Sequence, residues 1–226
     1  MKAPILLTAV VLAVNAPAYA EEPKPLTTNA EKFSYMLGLQ IGQQLKRQNL
    51  TSVEVRAIAL AIQDVLDGRD LRVSLDDMRV AATAYQNELN AEKLAAGEKN
   101  KAAGEKFLEE NKSRDGVVEL DSGLQYRVVE AGAGTPPTET DTVVVHYRGR
   151  LLDGTEFDSS YGRGEPTEFG VGQVIPGWQQ ALQLMSKGAK WEVWIPASLA
   201  YGTDGSGSIG PNETLHFDIE LIDIKG

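Results

Sequence analysis

Close to Asp115 the spacing of apolar residues changes from a helical repeat to strict alternation, and one element cannot serve both periods. The chain is therefore read as two structural parts in series. Before Asp115, Phe33, Met36, Leu37, Ile41 and Leu45 recur at helical spacing behind Asn29 and Glu31, which read as the start of a first helix. A second, from about Ser52, puts Ile58, Ile62, Val65 and Leu66 on one face and stops at Asp67-Gly68. Ser74, followed by Asp76 and Asp77, caps a third that meets no proline until Pro136. From Leu75 to about Asn111 its residues are mostly good or tolerable helix formers, so it is expected to run for roughly 55 Å at about 1.5 Å per residue. After Leu94 it has almost no apolar stripe, and Gly97 and Gly104 each cost about 1 kcal/mol against Ala. The expectation is a polar spacer that bridges two domains or frays.

Beyond Asp115, Leu124, Tyr126 and Val128 alternate with polar neighbours, and Val143, Val145, Tyr147 and Leu151 alternate with Val144, His146, Arg148 and Arg150. Trp191, Val193 and Ile195 form another such run, and Leu215, Phe217, Ile219 and Leu221 a last one. Half-buried strands show this pattern. Between them Trp178, Ala181, Leu182 and Met185 mark one brief helix ended by Lys187-Gly188. The fold class is α+β: a C-terminal antiparallel sheet wrapped over one short helix, preceded by an all-α N-terminal part with a long linker helix. The expected divisions are a leader over residues 1–20, a helical unit over 21–73, the long helix over 74–114 and the sheet domain over 115–226.

The leader is read from Lys2, an apolar run from Ile5 to Val14, Pro17, and small residues at Ala18 and Ala20. That run is about ten residues long, well short of the roughly 20 a membrane span needs, so it reads as a secretory signal cut after Ala20. No later segment approaches a spanning length. The helical unit buries little by itself, so pairing with a second copy is expected. Gly38 and Gly42 are spaced for close helix approach, although small residues at an ordinary helix crossing read equally well.

The net charge of −10 becomes more acidic by one when the leader, with its single Lys, is removed. An acidic surface without a basic stripe disfavours nucleic acid and anionic membranes. With no cysteine, disulfides, thiolate metal sites and a cysteine nucleophile are excluded. The two histidines, His146 and His216, lie far apart in sequence without ligand spacing, so neither a metal site nor a cofactor is expected. There is no Gly-x-Ser-x-Gly elbow and no P-loop. Gly205-Ser206-Gly207-Ser208-Ile209-Gly210 matches a dinucleotide fingerprint in letters, but Pro211 follows and a strand comes next, where that motif needs a helix.

What remains is a scattered aromatic and aliphatic set. Val-His-Tyr-Arg-Gly at 145–149, Gly-Thr-Glu-Phe-Asp-Ser-Ser at 154–160, Val-Ile-Pro-Gly-Trp at 174–178, Ala-Tyr-Gly at 200–202 and Leu-His-Phe-Asp-Ile-Glu-Leu at 215–221 closely resemble the FKBP family of macrolide-binding prolyl isomerases. The layout is similar to its macrophage infectivity potentiator branch of exported dimers. The resemblance implies a bent sheet over one helix with the pocket between them, and peptidyl-prolyl cis/trans isomerase activity toward unfolded or proline-containing polypeptides. Macrolides such as rapamycin would be inhibitors, and the bacterial periplasm would be the location. It also implies roles. Trp178 would be the pocket floor, flanked by Tyr147, Phe157, Phe169, Val174 and Phe217. The N–H of Ile175 and the hydroxyl of Tyr201 would bind substrate carbonyls, and Asp158, held by Tyr147 and Arg163, would face the twisting amide. These residues have plainer readings: Phe217 as core, Trp178 as a helix anchor, Asp158 as a turn residue, Tyr201 as an exposed loop tyrosine, Arg163 as a solvated cation. The sequence departs from the family's common pattern at Thr167, Ser208 and Gly210, which bears on ligand affinity. The activity expected is isomerisation, with chaperoning by the dimer; the alternative is a protein-binding chaperone or adhesion module on the same fold without turnover.

Overall fold

Side-chain hydroxyls at Thr28 and Ser74 open the first and third helices of this chain. The computed structural model describes residues 24–48, 50 and 52–226. The expected leader lies outside these residues. The chain divides into two compact units between Arg72 and Val73.

In the first unit, α1 (Asn29–Arg47) is opened by Thr28 rather than Asn29. The Thr28 hydroxyl accepts from the Glu31 N–H while the Glu31 carboxylate accepts from the Thr28 N–H, closing a capping box. Helix α2 (Val55–Leu66) ends where Gly68 takes a positive φ of 64°. Just beyond it, Arg69 and Arg72 both donate to the carboxylate of Asp64, the one buried residue of α2. Many apolar residues of these helices face outward: Phe33 is 58% exposed, and Met36, Leu37, Leu39, Ile41, Ile62, Val65 and Leu66 are exposed too.

The second unit begins with α3 (Leu75–Asn111), capped by the Ser74 hydroxyl accepting from the Asp77 N–H. The expectation of a bare polar spacer is corrected here. Gly97, Gly104 and Asn111, seven residues apart, are the buried residues of α3, and this spacing puts them on one face. A Cβ on Gly104 would lie 2.2 Å from Thr214 Oγ1, and one on Gly97 would lie 3.2 Å from Asn212 Nδ2. Without side chains, the helix backbone approaches the segment that leads into the last strand. At its C-terminal end the contact is an amide network: Asn111 Nδ2 donates to Gln125 Oε1 at 2.9 Å, and Gln125 Nε2 donates to the Leu108 carbonyl at 2.8 Å. Both side chains are buried, and the Gln125 amide also donates to the Glu119 carboxylate at 2.9 Å, so the donors at this contact have partners.

After α3 the alternating pattern builds a seven-stranded antiparallel sheet. Its strands are β1 (Val117–Glu119), β2 (Gln125–Glu130), β3 (Thr142–Leu151), β4 (Glu156–Ser159), β5 (Thr167–Gly170), β6 (Lys190–Ile195) and β7 (Leu215–Lys225). The order is β1-β2-β6-β7-β3-β4, with β5 pairing a different stretch of β3. Sequence alternation marks β2, β3, β6 and β7, whereas β1, β4 and β5 are too short to show a period. The longest pairing joins β3 to β7, from Thr142 opposite Lys225 to Leu151 opposite Leu215, with a bulge at Val144/Val145. Val143, Val145 and Tyr147 of β3 and Leu215, Phe217, Ile219 and Leu221 of β7 all turn into the core.

Two helices interrupt the strands, α4 (Ser160–Arg163) and α5 (Pro176–Leu182). Pro176 at the first position of α5 suits a helix start, where its missing N–H is not needed. Trp178, Ala181 and Leu182 of α5 pack with Met185 into the core cluster under the sheet. The helix ends at Leu182, earlier than the expected stop at Lys187-Gly188. Gly177 lets α5 lie close to β6, since a Cβ there would be 2.4 Å from Ile195 Cγ2.

The face of α3 generates a test. In an ordinary helix interior Gly→Ala stabilises by about 1 kcal/mol. Overpacking against Thr214 costs about 1–3 kcal/mol, so Gly104→Ala is expected to lower the urea unfolding midpoint rather than raise it. Adding Thr214→Ala, which removes the clashing hydroxyl, should restore much of the loss.

Candidate active site

The loop between β5 and α5 and the start of α5 set the floor of a cavity on the core side of the sheet. Phe169 lies on β5, a short turn at Val171–Gln173 follows, and Val174 leads into Ile175 and Pro176. The side chain of Gln179, one turn into α5, donates to the Val174 carbonyl at 2.7 Å and pins this connection. The Trp178 N–H donates to the Ile175 carbonyl at 2.9 Å, while no backbone acceptor among the described residues takes the N–H of Ile175 itself.

Trp178, only 4% exposed, is met edge-on by three rings. Tyr147 stands 5.3 Å from it between centroids, Phe217 5.2 Å and Phe169 5.7 Å, at interplanar angles of 80–87°. Edge-to-face pairs of this kind bring the positive ring edge to the negative face of the neighbour. Phe157 of β4 meets Phe217 in the same way at 5.5 Å. These two rings occupy the space over Gly149, where a Cβ would lie 2.6 Å from Phe157 and 2.7 Å from Phe217. Gly149 sits opposite Phe217 in the β3–β7 register and opposite Asp158 in the β3–β4 register. The missing side chain on β3 is therefore what admits the two phenylalanine rings.

The resulting cavity has a volume of about 350 Å³ and is lined by Tyr147, Phe157, Asp158, Phe169, Gln173, Val174, Ile175, Trp178, Tyr201 and Phe217. Every residue expected from the sequence to form the site is in this lining except Arg163, which stands behind it. Gln173 was not anticipated; a single polar residue in a turn carries no periodic signal, and only its place between Phe169 and Val174 hinted at it.

One polar cluster stands at the apolar wall. The Tyr147 hydroxyl donates to Asp158 Oδ2 at 2.6 Å. Arg163 donates through one nitrogen to Asp158 Oδ1 at 2.7 Å and through another to the Tyr147 oxygen at 2.9 Å. The second nitrogen also reaches Thr167 Oγ1 at 3.0 Å, so the residue that departs from the family pattern here helps to hold the arginine. Partial burial raises the pKa of Asp158, but the Tyr147 hydroxyl and the Arg163 guanidinium outweigh it and hold the carboxyl below its usual range. Tyr147 is pushed up, first by burial and then by its bond to Asp158. At neutral pH the cluster therefore consists of a carboxylate, a protonated phenol and a guanidinium. Behind it the buried Ser160 hydroxyl accepts from the Tyr147 N–H at 2.8 Å and lies 2.9 Å from His146 Nδ1, fixing the start of α4 against β3.

His216 lies beside two carboxylates. Glu192 and Asp218, on adjacent strand positions, bring oxygens to within 4.8 Å of its ring nitrogen. Arg127 already donates to Glu192, and Arg150 pairs with Asp218. Burial, then the nearby Arg150, lowers the histidine's pKa, and its ring stacks on Trp194 at 5.2 Å.

Comparison with known proteins extends the likeness to the whole chain. Residues 133–222 match the model of the FKBP-type peptidyl-prolyl cis-trans isomerase family, and residues 30–128 match that of the domain amino terminal to it. The chain is 43% identical to the outer membrane protein MIP of Legionella longbeachae, over all of this chain and 99% of that protein. It is 46% identical to an FKBP-type 22 kDa peptidyl-prolyl cis-trans isomerase of Escherichia coli K12, over 84% of this chain and 93% of that one. The crystal structure of FkpA from Escherichia coli matches with a TM-score of 0.63 at 34% identity, covering 89% of this chain and 99% of that one. With an aromatic cavity between sheet and helix and relatives alike over nearly their full length, the chain belongs to the FKBP-type peptidyl-prolyl cis-trans isomerases.

Proposed function

We propose that the cavity over Trp178 binds the prolyl ring of an unfolded or proline-containing polypeptide and speeds rotation about the preceding amide. The observation that carries this reading is the juxtaposition of an apolar, ring-lined hollow with a single ionised carboxylate, Asp158, on its wall. Uncatalysed X-Pro exchange takes tens to hundreds of seconds because rotation breaks amide resonance. No bond to an outside atom forms, so neither nucleophile nor metal is required.

In the planar amide, conjugation puts partial positive charge on nitrogen and partial negative charge on oxygen. The twisted state loses conjugation and much of that dipole, so a cavity with few polar groups favours it over the planar ground state. The prolyl ring buries apolar area against Trp178 at about 25 cal/mol per Å². The Ile175 N–H and the Tyr201 hydroxyl orient the substrate by donating to its carbonyls. Asp158, facing the prolyl amide, disfavours the negative charge that conjugation places on the carbonyl oxygen. Tyr147 and Arg163 hold that carboxylate in place, and Phe157, Phe169, Val174 and Phe217 enclose the ring. A hundredfold to millionfold acceleration asks for roughly 3–8 kcal/mol, within the range of desolvation and orientation together.

The same cavity is the proposed binding site for macrolide inhibitors such as rapamycin. The exposed apolar faces of α1 and α2 support homodimerisation through the N-terminal unit, with client chaperoning by the dimer. No helix among the described residues is long and apolar enough to cross a membrane. The N-terminal sequence and the resemblance support export to the periplasm with cleavage after Ala20.

Three outcomes are expected. In a proline-limited refolding assay the protein accelerates the slow phase, rapamycin suppresses that effect, and Asp158→Ala or Tyr147→Ala lowers kcat/KM by about tenfold or more, roughly 1.4 kcal/mol. Wild-type rates in both variants would remove the site assignment. In a carbon-13 titration the Asp158 carboxyl should have its midpoint below the ordinary aspartate range, and Arg163→Ala should move it upward. The sign for stability follows from the lowered value: this contribution is present above the unfolded-state pKa and lost as pH falls through the folded one. Light scattering on the mature chain should give twice the monomer mass, and a monomeric mass would reject the dimer.

A further inference from the structure

The segment from Tyr201 to Asn212 rises from the cavity rim and returns to the start of β7, and its base is held from outside the sheet. Asn212 has a positive φ of 54°, unlike every other described non-glycine residue. From that conformation its two nitrogens point to different parts of the fold. The Asn212 N–H donates to the Gly202 carbonyl at 2.8 Å, which closes the base of the loop directly beside Tyr201. Its side-chain Nδ2 donates to the Gly97 carbonyl of α3 at 3.2 Å. Asn100, one turn further along α3, donates to the Pro211 carbonyl at 2.9 Å. The Gly202 N–H is in turn spent on the Ala197 carbonyl at 2.9 Å, and the Gly205 N–H on the Tyr201 carbonyl at 3.2 Å. Gly97 is a glycine in a helix interior, which is unfavourable in itself, and its bare face is what lets the Asn212 amide reach a helix carbonyl.

We infer that α3 is part of the framework of the substrate site, and that Asn212 is the positioning residue that transmits its location to Tyr201. Asn212 does not touch the cavity, and Tyr201 lines it while remaining 38% exposed. A phenol so little enclosed is placed by its backbone rather than by packing around its ring. That backbone is fixed at Gly202 by Asn212, and Asn212 is fixed by Gly97. The consequence is a division of labour: the sheet and α5 place the aromatic floor, and α3 places the outer hydrogen-bond donor. This inference rests on the donor role proposed above for Tyr201.

The test is a double-mutant cycle in the full-length protein with a chromogenic proline tetrapeptide as substrate. Asn212→Gly keeps the positive φ free of strain while removing the amide. It is expected to raise KM about threefold and leave kcat within about twofold, since an orienting contact is weakened while the floor is intact. In a Tyr201→Phe background, which lacks the hydroxyl being positioned, Asn212→Gly should have no further effect on KM. Equal factors in both backgrounds would mean a general structural effect and would overturn the inference, as would an unchanged KM for Asn212→Gly. If Tyr201→Phe alone behaves as wild type, the donor role of Tyr201 falls, and this inference falls with it. Should Asn212→Gly fail to fold, Gly97→Ala carries the same cycle, because its Cβ would press on Asn212 Nδ2 from 3.2 Å.

Discussion

The pairing of β3 with β7 is the constraint on which the sheet unit depends. It runs the length of both strands and sets Tyr147 opposite Ile219 and Gly149 opposite Phe217. Because side chains alternate between faces, a slip of β7 by one residue would turn Phe217 away from Trp178 and put His216 and Asp218 in the core. The same register leaves Gly149 beneath Phe157 and Phe217, so the cavity owes its width to a position where β3 has no side chain. A floor of rings set edge-on to Trp178 then keeps its shape through packing, and Tyr147, Asp158 and Arg163 form the polar cluster at its wall.

Helix α3 illustrates a second way of building contact, without an apolar stripe. Gly97 and Gly104 remove side chains so that backbone meets Asn212 and Thr214, and Asn111 joins Gln125 through a satisfied amide pair. Such a face is held by close approach and directional hydrogen bonds instead of hydrophobic area. Hydropathy patterning cannot see it, which is why the helix reads in sequence as a spacer weakened by glycine. In the structure the two glycines are where it docks.

Legibility in the sequence followed the length and regularity of each element. The alternation in 143–151, 191–195 and 215–221 was long enough to announce strands and hence the α+β class. The strands at 117–119, 156–159 and 167–170 were not announced, because three or four residues contain no period to read. At the cavity, the residues named from the motifs are gathered around one hollow. Gln173 was missed because its place depends on a turn, and Thr167, noted only as a departure, turns out to bind Arg163. The surroundings of His216 are half legible in sequence: Asp218 is two residues away, but Glu192 lies on a different strand, and only the β6–β7 pairing brings it close.

The order of residues by itself determined the change of period near Asp115, the capping of α3, the alternation of the long strands, and the five motifs that mark the family. All of these are local, set by side-chain direction and short-range hydrogen bonds. Tertiary structure alone decided which glycine faces became contacts, where Arg163 reaches, and how Asn212 joins Gly202 to Gly97. Those outcomes depend on the distance between segments far apart in sequence, and that distance exists only once strands have paired and helices have packed.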